Sequence, residues 1–455
     1  MKRLLIVEDG LSLQCRGRFH TPVSALANLS VSERAGEMFS ASRPSPEPIE
    51  KPYLLDGYYR IFQFDNTMFS IVHKPPHVVE SRIHQRGGKG RMDAIKRFFA
   101  SRWGIVSVGV FIGLFAALLQ KWGNPGNMGI CVACFERDIA GAVGLHRADV
   151  VQYLRPEIIG FVLGALLAAY TFREFQPRAG SAPIVRFFLG AFAMIGALVF
   201  LGCPWRALLR LAGGDGNAIL GIAGLIFGIW IGTRFLKAGY NLGRTTRTYP
   251  SAGWLMPLLM AGFLLLLLVF PQVAGEAKSG VLFYSLKGPG SMHAPLAISL
   301  IVGLAIGFLA QRSRFCTMGA FRDLLLFRQA HLFSGLLALT ITAFVVNLAL
   351  GQFRPGIAGQ PVAHTMHFWN FAGMVLAGLA FTLAGGCPGR QLFLAGEGDG
   401  DAAVFVMGMI VGAGFSHNFG LASSPNGVGP HGVSAVIIGM LVCLFIGFSM
   451  RKKAA

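Results

Sequence analysis

Charge is scarce in this chain. Only 13% of its 455 residues are Asp, Glu, Lys or Arg, while 53% are hydrophobic; soluble domains carry about 25% charged residues. That scarcity excludes a soluble multi-domain enzyme, and long apolar runs with 60 glycines point to a chain embedded in a membrane. Acidic residues are fewer still, 21 against 40 basic ones, for a formal net charge of +19. No basic stripe interleaved with aromatics accompanies that excess, which excludes a nucleic-acid reader. The lysines and arginines cluster instead at the ends of apolar runs, where they set topology. Cysteine is sparse as well: seven, without a secretory signal peptide, do not make a disulfide framework. There is no Walker motif, so ATP hydrolysis within the chain is not expected. Neither a cofactor nor a metal is expected.

The first 91 residues differ in kind. "SASRPSPEPIEKP" reads as a linker, and "MKRLLIVEDG" is too short and too charged for a signal peptide. The codons for Gly-Gly-Lys-Gly, just before Met92, are purine-rich and resemble a bacterial ribosome-binding site. This predicts a native start at Met92, with 1–91 an over-extended, disordered leader. The competing reading is a genuine cytoplasmic extension.

Ten segments are long and apolar enough to span or nearly span a bilayer: about 103–120, 157–172, 184–201, 217–236, 254–271, 294–310, 332–350, 367–385, 402–419 and 432–450. Alternate connections carry the basic residues. They hold Lys96, Arg97 and Arg102; Arg173, Arg178 and Arg186; Lys237, Arg244 and Arg247; Arg312, Arg314 and Arg328; Arg390; and Arg451, Lys452 and Lys453. The positive-inside rule places both termini in the cytoplasm.

The chain repeats itself. "GCPWRALLRLAGGDGNA" (202–218) and "GCPGRQLFLAGEGDGDA" (386–402) agree at nine of seventeen positions without a gap. Upstream, "CVACFERD" (131–138) matches "CTMGAFRD" (316–323), at separations of 72 and 71 residues from the second cysteine. Each unit reads as helix, cysteine loop, two helices, Gly-Cys-Pro element, helix. Four spans plus the intervening 254–271 make five, an odd number, so the second unit lies upside down relative to the first. The expected fold is an all-α polytopic membrane protein with about ten transmembrane helices, an inverted repeat and re-entrant helix-loop elements. Repeat 1 covers 92–236, a linking helix and loops 237–293, repeat 2 294–420, and a last helix with a basic tail 421–455.

Proline is comfortable at the first helical position, where its missing N–H costs nothing. Gly-Cys-Pro therefore predicts a helix end, a cysteine at the N-cap, and a new helix from Pro204 to Ala212. At 1.5 Å per residue that helix is roughly 13 Å long and cannot cross a bilayer. Free backbone N–H groups and the positive dipole end favour an anion there. Arg206 and Arg390 each add a charge one turn in. Irregular backbone at membrane depth survives where it lines a cavity or is buried in protein. Two inverted copies define a path for a small, soft, sulfur-like anion. The plainer reading is a kink with an inert cysteine.

Cys131 and Cys134 form a C-x-x-C. It reads as a substrate contact at the mouth, as a redox or metal-binding pair, or as packing; Cys316 has Gly319 where a second cysteine would stand. Arg137-Asp138 and Arg322-Asp323 read as internal ion pairs holding the loops, with direct anion contact by Arg137 and Arg322 the second possibility. His364, His367, His417 and His431 read as interfacial, Cys443 as lipid- or core-facing, and Cys15 lies in the leader.

With both Gly-Cys-Pro elements and both loop cysteines in place, residues 92–455 resemble the YeeE/YedE family of sulfur-compound transporters. "NMGICVACFERDIAGAVGLH" (127–146) is similar to its selenium-metabolism branch. The resemblance implies a bacterial inner-membrane permease, not an enzyme. Its substrate would be a small sulfur- or selenium-containing anion, thiosulfate-like, passed along cysteines without large rocking motions. Carried over by motif, the path cysteines are Cys131 or Cys134, Cys203, Cys316 and Cys387. Partners would be the anion, the lipid bilayer and a cytoplasmic sulfur or selenium carrier protein. Two further readings are a membrane thiol relay handing sulfur or selenium to such a carrier, and a scaffold in selenoenzyme maturation.

Overall fold

The computed structural model describes residues 60–64, 67–71 and 88–451. Residues 60–71 belong to a unit, Met1–Gln85, distinct from Arg86–Ala455. There β1 (Arg60–Phe64) and β2 (Thr67–Ile71) pair antiparallel, with Arg60 opposite Ile71. Cys15, and all of the expected leader 1–91 other than 60–64, 67–71 and 88–91, lies outside the described residues.

From Gly88 the chain is helical. After α1 (Gly88–Ala100) come α2 (Arg102–Lys121), α3 (Val132–Ala142), α4 (Pro156–Thr171), α5 (Pro183–Phe200), α6 (Pro204–Ala212) and α7 (Asn217–Lys237). A linking helix, α8 (Pro250–Val269), leads to α9 (Leu296–Ser313), α10 (Thr317–Phe327), α11 (His331–Ala349), α12 (His367–Ala384), α13 (Pro388–Gly396), α14 (Gly400–Asn418) and α15 (Gly432–Ser449). Among the described residues nine stretches are long and apolar enough to cross a membrane, and α4 is a shorter apolar helix. The chain is an all-helical, multi-pass membrane protein, and each of the ten expected segments has its helix.

Three of those stretches, Pro183–Ala212, Leu296–Phe327 and His367–Gly396, run to 30 residues or more. A straight helix of that length would measure about 45 Å, against about 30 Å of hydrocarbon. Each is broken by a cysteine. At the end of α5, Leu201 turns left-handed (φ 62°), and the N–H of Gly202 donates back to Ala197 O at 2.7 Å. At the end of α12, Gly385 (φ 87°) and Gly386 repeat the turn onto Phe381 O at 3.0 Å. Both closures bond six residues back to one, satisfying the last carbonyls before the chain re-enters a helix at proline.

Two six-helix units, α2–α7 and α9–α14, interlock. α2 packs on α11 as α9 packs on α4; α7 packs on α12 as α14 packs on α5; and α5 meets α12 at the centre. Every main pairing thus recurs with the units exchanged. Glycine makes these approaches possible. A Cβ on Gly164 of α4 would lie 2.1 Å from Leu304 O on α9, and one on Gly408 of α14 2.1 Å from Phe187 O on α5. Small residues spaced by four let helix backbones touch in this way.

Candidate functional site

Four short helices, α3, α6, α10 and α13, start from a cysteine at the N-cap: Cys131, Cys203, Cys316 and Cys387. The two nine-residue helices behind Gly-Cys-Pro begin at proline, as the sequence predicts. The caps at Cys131 and Cys316 are additional. Their sulfurs accept from the N–H groups of Cys134 (3.3 Å) and Gly319 (3.2 Å), one turn in. Cys203 and Cys387 make no such cap bond. Cys316 Sγ and Cys387 Sγ are 3.7 Å apart in a thiol–thiol hydrogen bond, and Cys131 and Cys203 are neighbours at the corresponding place in the first unit, without a hydrogen bond of that kind. All four are buried and free of disulfides. Each pair therefore brings together two helix starts, whose partial positive charges add.

Arg206 is fully buried beside the first pair. Its Nε donates to Asn127 O (3.3 Å), one Nη to Leu201 O and Cys134 Sγ (3.8 Å), and the other to Pro361 O (3.2 Å) and Val362 O (3.1 Å). All five guanidinium N–H groups are committed. No carboxylate pairs with it among the described residues, so its charge remains electrostatically available to the site while its donors hold four carbonyls in place.

Arg390 is placed differently. It is an outlying member of an ion-pair network at the C-terminal end of α13. There Glu397 meets Arg314 (3.1 Å), Arg390 (3.5 Å) and Arg178 (3.9 Å), Asp399 meets Arg178 (2.7 Å), and Glu174 meets Arg312 (2.5 Å) and Arg314 (3.2 Å). Burial raises the Glu174 carboxyl's proton affinity, but the hydrogen bond and charge of Arg312, with Gln311 and Arg314, outweigh it and hold the carboxyl below the usual range.

Arg137 and Arg322 carry the internal ion pairs expected of them, to Asp138 and Asp323 at 2.7 and 2.8 Å. Asp138 is also bound by Arg155 (2.7 Å), which donates further to Pro289 O and Met292 O and lies over the Phe135 ring. Sequence reading missed Arg155, whose partners are far away along the chain. Cys134 joins the Cys131–Cys203 cluster through Arg206. His364 lies inside the protein, whereas His417 is half-buried at the end of α14. His364 is buried with Nε2 on Val199 O (2.7 Å), and the His417 ring packs 4.5 Å from that of His146, its Nε2 buried without a partner. Cys443 is core-facing, fully buried between α15 and the bundle.

A cluster of aromatic rings joins the starts of α6 and α10. Trp205 of α6 lies 5.9 Å from Phe161, 5.7 Å from Phe315 and 6.2 Å from Phe393, centroid to centroid. Phe315 immediately precedes Cys316. No group of three or more His, Cys, Asp or Glu side chains capable of holding a metal occurs among the described residues.

The sequence profile of a family described as sulphur transport matches residues 66–231 and 312–446. The thiosulfate transporter TsuA of Escherichia coli (strain K12) is 33% identical over 107 residues, which are 24% of this chain and 30% of that protein. TsuA of Spirochaeta thermophila is 36% identical over 104 residues, 22% of this chain and 29% of its own. The matched region spans under a third of the length of either curated relative.

Proposed function

Since the chain belongs to the sulphur transport family, we propose that it is a permease for a small dianion bearing a terminal sulfur, such as thiosulfate, or its selenium counterpart. The observation that carries this reading is the Cys316–Cys387 thiol contact, matched in the other unit by the neighbouring Cys131 and Cys203, all four buried at helix starts. An anion leaving water needs donors already oriented, since fixed dipoles cost no reorganisation at the moment of binding. Thiols add a soft S–H donor that a sulfur terminus accepts and that water does not outcompete in a dry channel. Arg206 biases the first pair towards the charge, and the Arg390 network offers basic groups beyond the second. The exchanged packing of α2–α7 and α9–α14 supports an inverted repeat. Under that reading Cys203 is reached from outside and Cys387 from the cytoplasm, where both termini lie.

The deciding experiment is uptake of labelled thiosulfate and a selenium analogue into reconstituted vesicles by the Cys203→Ser, Cys387→Ser double variant. Serine preserves the size and polarity of each cap but not the polarisable sulfur. Uptake should fall strongly with the fold intact. Near-normal uptake would sink the cysteine path. Impermeant thiol reagents applied from each side check the orientation, and labelling of both cysteines from one face alone contradicts it.

A further inference from the structure

Trp205 is the second residue of α6, two positions beyond Cys203, and only 2% exposed. Its indole Nε1–H has no acceptor among the described residues. Buried tryptophan N–H groups ordinarily find one. The edge of the ring that carries this donor meets the second thiol pair's helix. A Cβ built on Gly389 would stand 3.4 Å from Cζ2 and 3.6 Å from Cε2, the carbon bonded to Nε1. Gly389 is the second residue of α13, two beyond Cys387, so the donor hangs from one cysteine helix and reaches the start of the other. Thr317, the first residue of α10 and next to Cys316, adds a second buried polar group without a partner, a hydroxyl. The surrounding rings of Phe161, Phe315 and Phe393 leave little else polar for a ligand at this level.

We propose that the Trp205 indole N–H is a binding station for the anion between the two thiol pairs, donating to an oxygen of a small sulfur-terminated oxyanion. The thiols handle the sulfur end, and the indole handles the oxygen end while the ligand changes from one pair to the next. The repeat differs here: one copy supplies the ring, and the other supplies the glycine that the ring's donor edge packs against. This assignment rests on the cysteine-path reading.

The test replaces Trp205 in the full chain by 3-benzothienylalanine, which keeps the bicyclic shape but has sulfur in place of N–H, alongside Trp205→Phe. In vesicles, the KM for thiosulfate should rise about tenfold or more in the benzothienyl protein, as expected for a lost hydrogen bond to a charged group, with thermal stability unchanged. In the wild-type protein, the Raman band that reports indole N–H hydrogen bonding, isolated by subtracting the Trp205→Phe spectrum, should shift when thiosulfate is added. An unchanged KM in the benzothienyl protein, or a band indifferent to thiosulfate, overturns the assignment. The Cys203→Ser, Cys387→Ser protein is assayed in parallel. If that protein is blocked while the benzothienyl protein transports normally, only the Trp205 station fails. If it transports normally, the underlying path fails.

Discussion

Replacing Arg206 by lysine keeps the charge and removes the fork. The five N–H groups of Arg206 meet four backbone carbonyls and the Cys134 sulfur, drawn from positions 127, 134, 201, 361 and 362. A lysine ammonium has three donors on a single nitrogen, so at least two of those five acceptors go unmet. If both are buried carbonyls, at about 1–3 kcal/mol each, the loss is about 2–6 kcal/mol. That range covers much of a typical domain's stability margin. Arg390 makes one long contact, 3.5 Å, to Glu397, and because Arg390→Lys keeps the charge beside that carboxylate and breaks no clasp on backbone carbonyls, it should cost far less. Reversible unfolding in mixed detergent micelles measures both, and vesicle uptake is assayed on whatever folds. The expected result is a large stability loss for Arg206→Lys and almost none for Arg390→Lys. A fully stable Arg206→Lys protein with unchanged anion affinity would refute the reasoning, because it would make Arg206 a point charge rather than a clasp on the loop carbonyls.

Gly164→Ala forces a Cβ to within 2.1 Å of Leu304 O, so α4 and α9 must separate and folded yield should drop sharply. Gly262→Ala in α8, with nothing within 4 Å, should instead be neutral or gain about 0.5–1 kcal/mol of helix propensity. Yield and melting temperature of the two variants decide this. The lowered proton affinity of Glu174 stabilises the folded state fully above the ordinary glutamate value of about 4.3 and is lost as pH falls through the lower folded value. Glu174→Gln should therefore flatten the acid limb of the stability profile, and an unchanged limb would show that the Arg312 contact contributes nothing.

The starts of both Gly-Cys-Pro helices were legible to the residue, and their ends to within one, because proline and glycine mark them by backbone chemistry alone. The caps at Cys131 and Cys316 were not. Cysteine is outside the usual Ser, Thr, Asp and Asn capping set, and C-x-x-C draws attention to redox or metal chemistry. The positions of Arg206 and Arg390 in the motif suggested equal roles, whereas their partners, which only the folded chain assembles, make one a clasp and the other part of a network. Trp205 was hidden by the comparison of copies itself, since a residue matched to glycine looks dispensable. Hydropathy found all ten long helices, because apolar length is a local property, but it could say nothing of which helix touches which.

That pattern of contact has a consequence for how the protein is made. The partner of Gly113 in α2 is Leu339 of α11, synthesised roughly 230 residues later, some tens of seconds at about 5–20 residues per second. In the same way α4 waits for Leu304, α7 for Phe371 and α5 for Phe405, so most close approaches of the first half form only once the second half is made. The two halves are therefore a single cooperative unit in biogenesis. Expressed as two polypeptides split within 270–290, they should mature only when both are present, and each alone should be a substrate for membrane proteolysis.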